Sequence, residues 1–223
     1  MIPRPRLVVC DLDGTLVDSE KRLRPATVAA VGRLRAAGIG FAVISARPRS
    51  GVMPIVEALG LKGEQAAFNG GTIFRGDGTV VRRETVDEAV VRGMFEIAGD
   101  EPVEPWVFAD DRWHAKSGQG HHAQRERKSS NQEPIVTSDF ASLYGEVDKL
   151  TLVSDDELLL KRLCEEAKER FGDRATIAQS QVYYLDVTPL AGNKGDGIRA
   201  LARSRGIDLA TQSRSAIRPT IWR

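Results

Sequence analysis

The sequence predicts an α/β fold, a doubly wound parallel sheet as the core with an inserted α+β unit, and three observations carry that prediction. Leu7-Val8-Val9-Cys10 is apolar at every position, as in a strand covered on both faces. A helical stripe and a second continuous apolar run follow within about forty residues, the spacing of a βαβ unit with its right-handed crossover. After Asn69-Gly70-Gly71 the pattern changes to hairpins and alternating strands, and it returns to a helix at Lys194.

Taken in order, the first strand delivers Asp11 at its carboxyl end. Pro25 opens a helix with Val28, Val31 and Leu34 as its apolar stripe, and Gly38 closes it with the residue best suited to a left-handed turn. Residues 39–44 form the second strand, which ends at Ser45; a short helix is expected at 55–59 and a third strand at 66–68. Arg75-Gly76-Asp77-Gly78 joins strands 72–74 and 79–81 as a hairpin. Asp87 caps a helix through Val90, Met94 and Ile97, and residues 104–108 alternate as a half-exposed strand does. Residues 114–134 are polar and without a period, which predicts a loop, with Trp106 and Trp113 packing the nearby sheet. His121-His122 within it is an adjacent pair, a spacing that rarely converges two ligands on a metal. Strands at 149–153, 175–178 and 182–187, a helix capped by Asp155 or Asp156 and running to about residue 171, and a final helix at 194–205 complete the reading. The core therefore comprises 1–83 and 187–223, and the insertion 84–186.

Composition narrows the function classes. With 32 basic and 31 acidic side chains the charge is +1, without the basic excess of a nucleic-acid or membrane surface. The chain has no apolar leader and no stretch long enough to span a bilayer, and its two cysteines provide no disulfide framework. A cytoplasmic protein is the expectation.

Asp11-Leu12-Asp13-Gly14-Thr15-Leu16 is the strongest chemical signal. Residues two apart in extended chain project to one side, so Asp11 and Asp13 face one ligand at the carboxyl edge of the sheet, where open α/β sheets bind. Two crowded carboxylates repel unless a cation relieves them, and oxygen-only ligation selects Mg²⁺. Attack of one carboxylate on phosphorus, with the other as acid and base, is the chemistry this pair can perform; a turn built on Asp-Gly is the plainer alternative. Ser45 ends the second strand at the same edge, Arg47 just beyond can pair with a phosphate, and Lys194 sits at a helix start that favours an anion.

This ordered set, with the insertion between Arg47 and Lys194, resembles the haloacid dehalogenase-like (HAD) phosphatases. The placement of the insertion, Asn69-Gly70-Gly71 and Leu185-Asp186-Val187-Thr188-Pro189 are similar to the Cof-type subgroup with an α/β cap. The resemblance covers about residues 6–210. It implies Asp11 as nucleophile and Mg²⁺ ligand, Asp13 as acid/base with its carbonyl on the metal, and Lys194 as the cation steadying both nucleophile and phosphate. It implies Ser45 as the hydrogen-bond donor to the phosphoryl group and Asn69 as a substrate contact, and Thr15 and Arg47 join them as expected substrate contacts. Ala46 stands where the family commonly has glycine.

The family's fourth motif, an apolar strand followed by Gly-Asp-x-x-Asn-Asp, is missing. Residues 211–223 read Thr-Gln-Ser-Arg-Ser-Ala-Ile-Arg-Pro-Thr-Ile-Trp-Arg, with nothing acidic after Asp208. Joining the last base of each codon from residue 212 onward to the first two of the next, with TCN and CGN codons for Ser and Arg, permits Val-Ala-Val-Gly-Asp-x-x-Asn-Asp-Leu-Ala. The expectation is a frame-shifted fourth motif; 24 Arg against 8 Lys suits the GC-rich gene such a reading requires. The resemblance thus implies a Mg²⁺-dependent phosphomonoesterase for a small phosphorylated metabolite, working through an aspartyl-phosphate and impaired in this chain. The alternatives are a phosphomutase of the same fold, or a non-catalytic remnant that binds a phosphate ligand.

Overall fold

The computed structural model describes residues 5–209. The chain runs β1 (Leu7–Asp11), α1 (Pro25–Ala36), β2 (Gly40–Ile44), α2 (Arg49–Ala58), β3 (Glu64–Ala67), β4 (Thr72–Arg75) and β5 (Val80–Arg83). It continues through α3 (Glu88–Ala98), β6 (Glu104–Ala109), β7 (Arg112–Ala115), α4 (Gly120–Ser130), β8 (Ile135–Val136) and β9 (Val147–Val153). The last elements are α5 (Glu157–Phe171), β10 (Ala175–Gln181), β11 (Tyr184–Pro189) and α6 (Lys194–Arg203).

The first sheet has the order β1-β2-β3-β4-β5, parallel from β1 to β3 and antiparallel beyond. Alternation along β2 decides which helices cover it. Phe41 and Val43 pack with Val52, Ile55 and Val56 of α2 and Val31 of α1. Ala42 and Ile44 pack with Leu201 of α6 on the other face. Helices on both faces of a parallel strand set are the predicted doubly wound arrangement, and each fully buried aliphatic side chain in it is worth about 1.5–3 kcal/mol over exposure. β1 is as apolar as β2 yet all five of its residues are only half-buried. Among the described residues its one sheet neighbour is β2. The frame-shifted segment proposed for residues 211–223 lies outside the described residues.

The second sheet, β10-β11-β9-β6-β7-β8, is antiparallel except for β7 and β8. One face is covered by α3 and α5, through Val90, Met94, Leu160 and Leu163 against Leu150, Leu152 and Leu185. The other carries Trp106, Phe108 and Trp113, all nearly fully buried, with the two indoles edge to face at 5.1 Å. Asp87 and Asp156 cap α3 and α5 by accepting from the backbone N–H groups of Ala89 and Leu159. β11 continues past residue 187 to Pro189.

Residues 114–134 are not a loop. They hold the end of β7 and all of α4, and β8 follows at once. The helix buries only Ala123 and Ser130, so it has no apolar period to read, and it stops where Asn131 takes the left-handed conformation (φ 55°, ψ 41°) that asparagine tolerates. α2 also starts six residues before the predicted 55, with Pro54 inside it at the loss of one helical hydrogen bond.

Candidate active site

β1 ends at Asp11, and α6 begins at Lys194, 183 residues later. Lys194 Nζ donates to Asp11 Oδ2 at 2.7 Å, while the Leu12 N–H donates to Asp11 Oδ1 at 2.9 Å. The start of α6 is fixed by Asn193, whose side chain accepts from the Asp196 N–H at 2.9 Å. Its approach to the sheet depends on two glycines. A Cβ on Gly70 would lie 2.6 Å from Gly197 Cα, and one on Gly197 would lie 3.0 Å from Gly70 Cα. Backbone contact at Gly70 and Gly197 is what lets the helix N-terminus reach the mouth of β1 and β2.

Asp13 lies two residues on. Arg47 grips it with Nε donating to Oδ2 at 2.9 Å and Nη2 to Oδ1 at 2.7 Å, and Lys21 Nζ donates to Oδ1 at 2.5 Å. Burial alone would raise the Asp13 carboxyl, but the hydrogen bonds and charges of Arg47 and Lys21 overcome it and hold the group at about 2. Lys21 is placed by the turn before it. Asp18 Oδ1 accepts from the N–H groups of Glu20 and Arg22, and Lys21 itself takes a positive φ of 63°. Lys21 is not among the residues expected from the sequence; the acid-first turn Asp18-Ser19-Glu20-Lys21 is the signal that places it.

Of the remaining expected contacts, Ser45 is buried and its hydroxyl oxygen accepts from the Arg47 N–H at 3.2 Å. Asn69 N–H donates to the Ser45 carbonyl at 2.7 Å, and Phe68 N–H to the Arg47 carbonyl at 3.0 Å, so the loops after β2 and β3 are zipped together. Asn69 holds φ 57° within the 3₁₀ turn Phe68–Gly70. Thr15 is exposed on the turn that Gly14 (φ 71°) opens. Arg47, expected to meet a phosphate, spends its buried guanidinium on Asp13 instead. The structure brings Asp11 to Lys194, Asp13 to Arg47, and Ser45 to Asn69.

The second sheet presents polar groups on the face that carries Trp106. Lys149 Nζ lies 3.1 Å from Asp186 Oδ1, and Thr151 Oγ1 donates to the same oxygen at 2.7 Å. Glu126 of α4 faces this pair and also feels Arg47 and Asp13; burial pushes its carboxyl up to about 7, against the pull of Lys149. His121 and His122 stand ring to ring, 3.7 Å between centroids, and His122 Nε2 is 2.8 Å from Asp155 Oδ1. Contrary to the spacing argument, ligand atoms of His121, His122 and Asp155 all fall within 4.8 Å of one another.

At the mouth of β1 the donor set is oxygen only. Asp11 and Asp13 are both partly exposed, and hard oxygen donors of this kind suit Mg²⁺, which is commonly held by one or two carboxylates with waters and substrate phosphate. Among the described residues no third acidic side chain joins them in a metal-sized group.

A doubly wound sheet with paired carboxylates after its first strand, facing a lysine at a later helix start, is the class of α/β site that can receive a phosphoryl group. The family profile for haloacid dehalogenase-like hydrolases matches residues 8–212, and the chain belongs to that family. The HMP-PP phosphatase of Citrobacter koseri is 28% identical over 204 residues, covering 92% of this chain and 74% of the relative. Among solved structures, a haloacid dehalogenase-like hydrolase from Bacteroides thetaiotaomicron superposes with TM-score 0.81 at 22% identity, covering 92% of this chain and 78% of the other. A HAD subclass IIB sugar phosphatase gives TM-score 0.75 at 20% identity, with 92% and 77% covered. These likenesses establish the fold. No helix among the described residues is long and apolar enough to cross a membrane.

Proposed function

We propose that the protein is a Mg²⁺-dependent phosphomonoesterase for a small phosphorylated metabolite, with a core at 1–83 and 187–223 and a cap at 84–186. The pairing of Asp11 with Lys194 carries the reading, because it puts a carboxylate nucleophile and a phosphate-binding cation at one point. The names of the relatives, an HMP-PP phosphatase and a sugar phosphatase, support it.

Asp11 attacks phosphorus to give an aspartyl-phosphate as the leaving oxygen departs. Lys194, the Ser45 hydroxyl, Thr15 and Asn69 bind the phosphoryl group. Asp13 protonates the leaving oxygen and then takes a proton from the attacking water. To carry that proton it must rise from about 2, and a phosphoryl group that draws Arg47 away returns it toward the ordinary carboxylate range. Asp11 and the Asp13 backbone would hold Mg²⁺, which when bound neutralises the phosphoryl charge. Free thiols at Cys10 and Cys164 suit the cytoplasm.

With Asp11 and Asp13 as the only carboxylates at the mouth of β1 among the described residues, this chain would hold Mg²⁺ weakly. Reduced turnover is the consequence, and the same two-carboxylate set favours a second reading, phosphate binding without turnover. Turnover of p-nitrophenyl phosphate by the 223-residue chain and by a chain with the reading frame restored from residue 211 tests both. Mg²⁺-dependent activity in the restored chain, lost in Asp11→Asn, is expected; full activity in the chain as written would overturn the impairment, and none in either would overturn the enzyme reading.

A further inference from the structure

Between the turn that carries Lys21 and helix α4 lies a cavity of about 230 Å³, lined by residues 19–21 on one side and His121, Gln124, Arg125 and Lys128 on the other. The four α4 positions are spaced i, i+3, i+4, i+7, one continuous face of the helix. That face has no apolar purpose, and the cavity it lines touches the reaction centre, since Lys21 Nζ is bonded to Asp13.

Cations outnumber acids in the lining of this cavity, Lys21, Arg125 and Lys128 against Glu20. Lys21 is committed to Asp13, but among the described residues neither Arg125 nor Lys128 has an acid within ion-pair distance. Arg125 donates instead to the neutral Tyr183 hydroxyl and lies over its ring, 5.7 Å from the centroid, which fixes the guanidinium without cancelling it. Among the described residues Glu20 is the one acid in the lining. Asp155 is occupied by the two histidines. Two unpaired cations on a preformed wall, next to the group that would protonate a leaving oxygen, are a site waiting for an anion on the leaving group.

Resting on the phosphomonoesterase reading, we infer that Arg125 and Lys128 select substrates whose leaving group carries a second anionic group, a phosphate or a carboxylate. The neutral sugar phosphates would fill the reaction centre and leave this cavity unmatched.

Calorimetric titration of the Asp11→Asn chain in Mg²⁺ buffer tests it, because that variant cannot consume the ligand. The probes are glucitol 6-phosphate, 6-phosphogluconate and glucitol 1,6-bisphosphate, which share one carbon chain and differ at the far end. Binding at least about tenfold tighter for one or both charged congeners is expected, weakening from 0.05 to about 0.5 M salt as screening sets in. The preference should fall toward unity in Arg125→Ala/Lys128→Ala, and partly in Lys128→Gln, an exposed position that leaves folding intact. Which congener gains identifies carboxylate or phosphate. Equal binding of all three overturns the subsite and spares the phosphomonoesterase reading. A preference that survives the double substitution overturns the assignment to these residues. Failure of all three, and of inorganic phosphate, in this variant and in its frame-restored counterpart overturns both.

Discussion

Lys194 and Asp11 meet at 2.7 Å although each is more than a third exposed, at 45% and 35% of the side chain. An ion pair so open to water contributes about 0–1 kcal/mol to stability. Its value is positional: it joins the end of β1 to the start of α6, the two elements that any phosphoryl group at this edge must bridge.

Lys194→Ala is therefore expected to separate function from stability. Turnover of a phosphomonoester by the frame-restored chain should fall by about 10²–10³, as when one preorganised donor is removed. The melting temperature should move by no more than about 3 °C. A melting shift of ten degrees would show that the contact is structural instead.

Asp13 gives a pH prediction. Its folded carboxyl stands at about 2, below the unfolded value of about 3.9. A depressed carboxylate contributes stability that is complete above the unfolded value and is lost as pH falls through the folded one. The Arg47 and Lys21 contacts should thus weaken between about pH 4 and pH 2. In Arg47→Met the Asp13 carboxyl rises, so acid unfolding followed by circular dichroism should begin at higher pH than in the parent. An unchanged acid midpoint would mean that the guanidinium does not govern Asp13.

Much of this was legible in the sequence. β1, β2 and Asp11 follow from unbroken apolar runs, although among the described residues only β2 is buried on both faces, and Lys194 follows from a helix start after the insertion. α4 was not legible, because a helix that buries only Ala123 and Ser130 leaves no apolar period, although His121, Gln124, Arg125 and Lys128 keep a polar one. The Arg47 to Asp13 grip was hidden for another reason: the residues are 34 apart, and the sequence offers a phosphate to Arg47 and a leaving oxygen to Asp13. Gly70 and Gly197 read as ordinary turn and helix glycines until their backbones are seen in contact.

That contact predicts a hierarchy among glycines. Gly70 holds φ 107°, and an added Cβ would strike the Gly197 backbone, so Gly70→Ala combines strain with displacement of α6. A loss of about 2–4 kcal/mol by urea unfolding is expected, with activity falling as Lys194 retreats. Gly14→Ala is the control: its φ is 71°, but nothing lies within 4 Å of the new Cβ, so only about 1 kcal/mol is at stake. Equal losses at the two positions would deny the close approach its role.

Arg83 makes the last prediction, at the junction of the two sheets. From the end of β5 its Nε donates to Asp148 Oδ1 at 2.6 Å, and Nη1 and Nη2 to Glu146 Oε2 and the Glu146 carbonyl, both at 2.7 Å. Asp148 is almost fully buried and also accepts from the Asp111 N–H at 3.0 Å. Burial raises the Asp148 carboxyl even with Arg83 opposing it. Arg83→Ala would strand a buried carboxylate, at a cost of about 3–5 kcal/mol at pH 7. The sign with pH is fixed by the same reasoning. An acid whose folded pKa is raised destabilises the fold as pH climbs above its unfolded value, and losing Arg83 raises it further. The penalty, read from urea unfolding of the variant against the parent, should therefore shrink from pH 7 to pH 5, where protonation lets Asp148 stay buried uncharged. A penalty that grows on acidification would place the damage at Glu146 or in the lost arginine packing, not at Asp148.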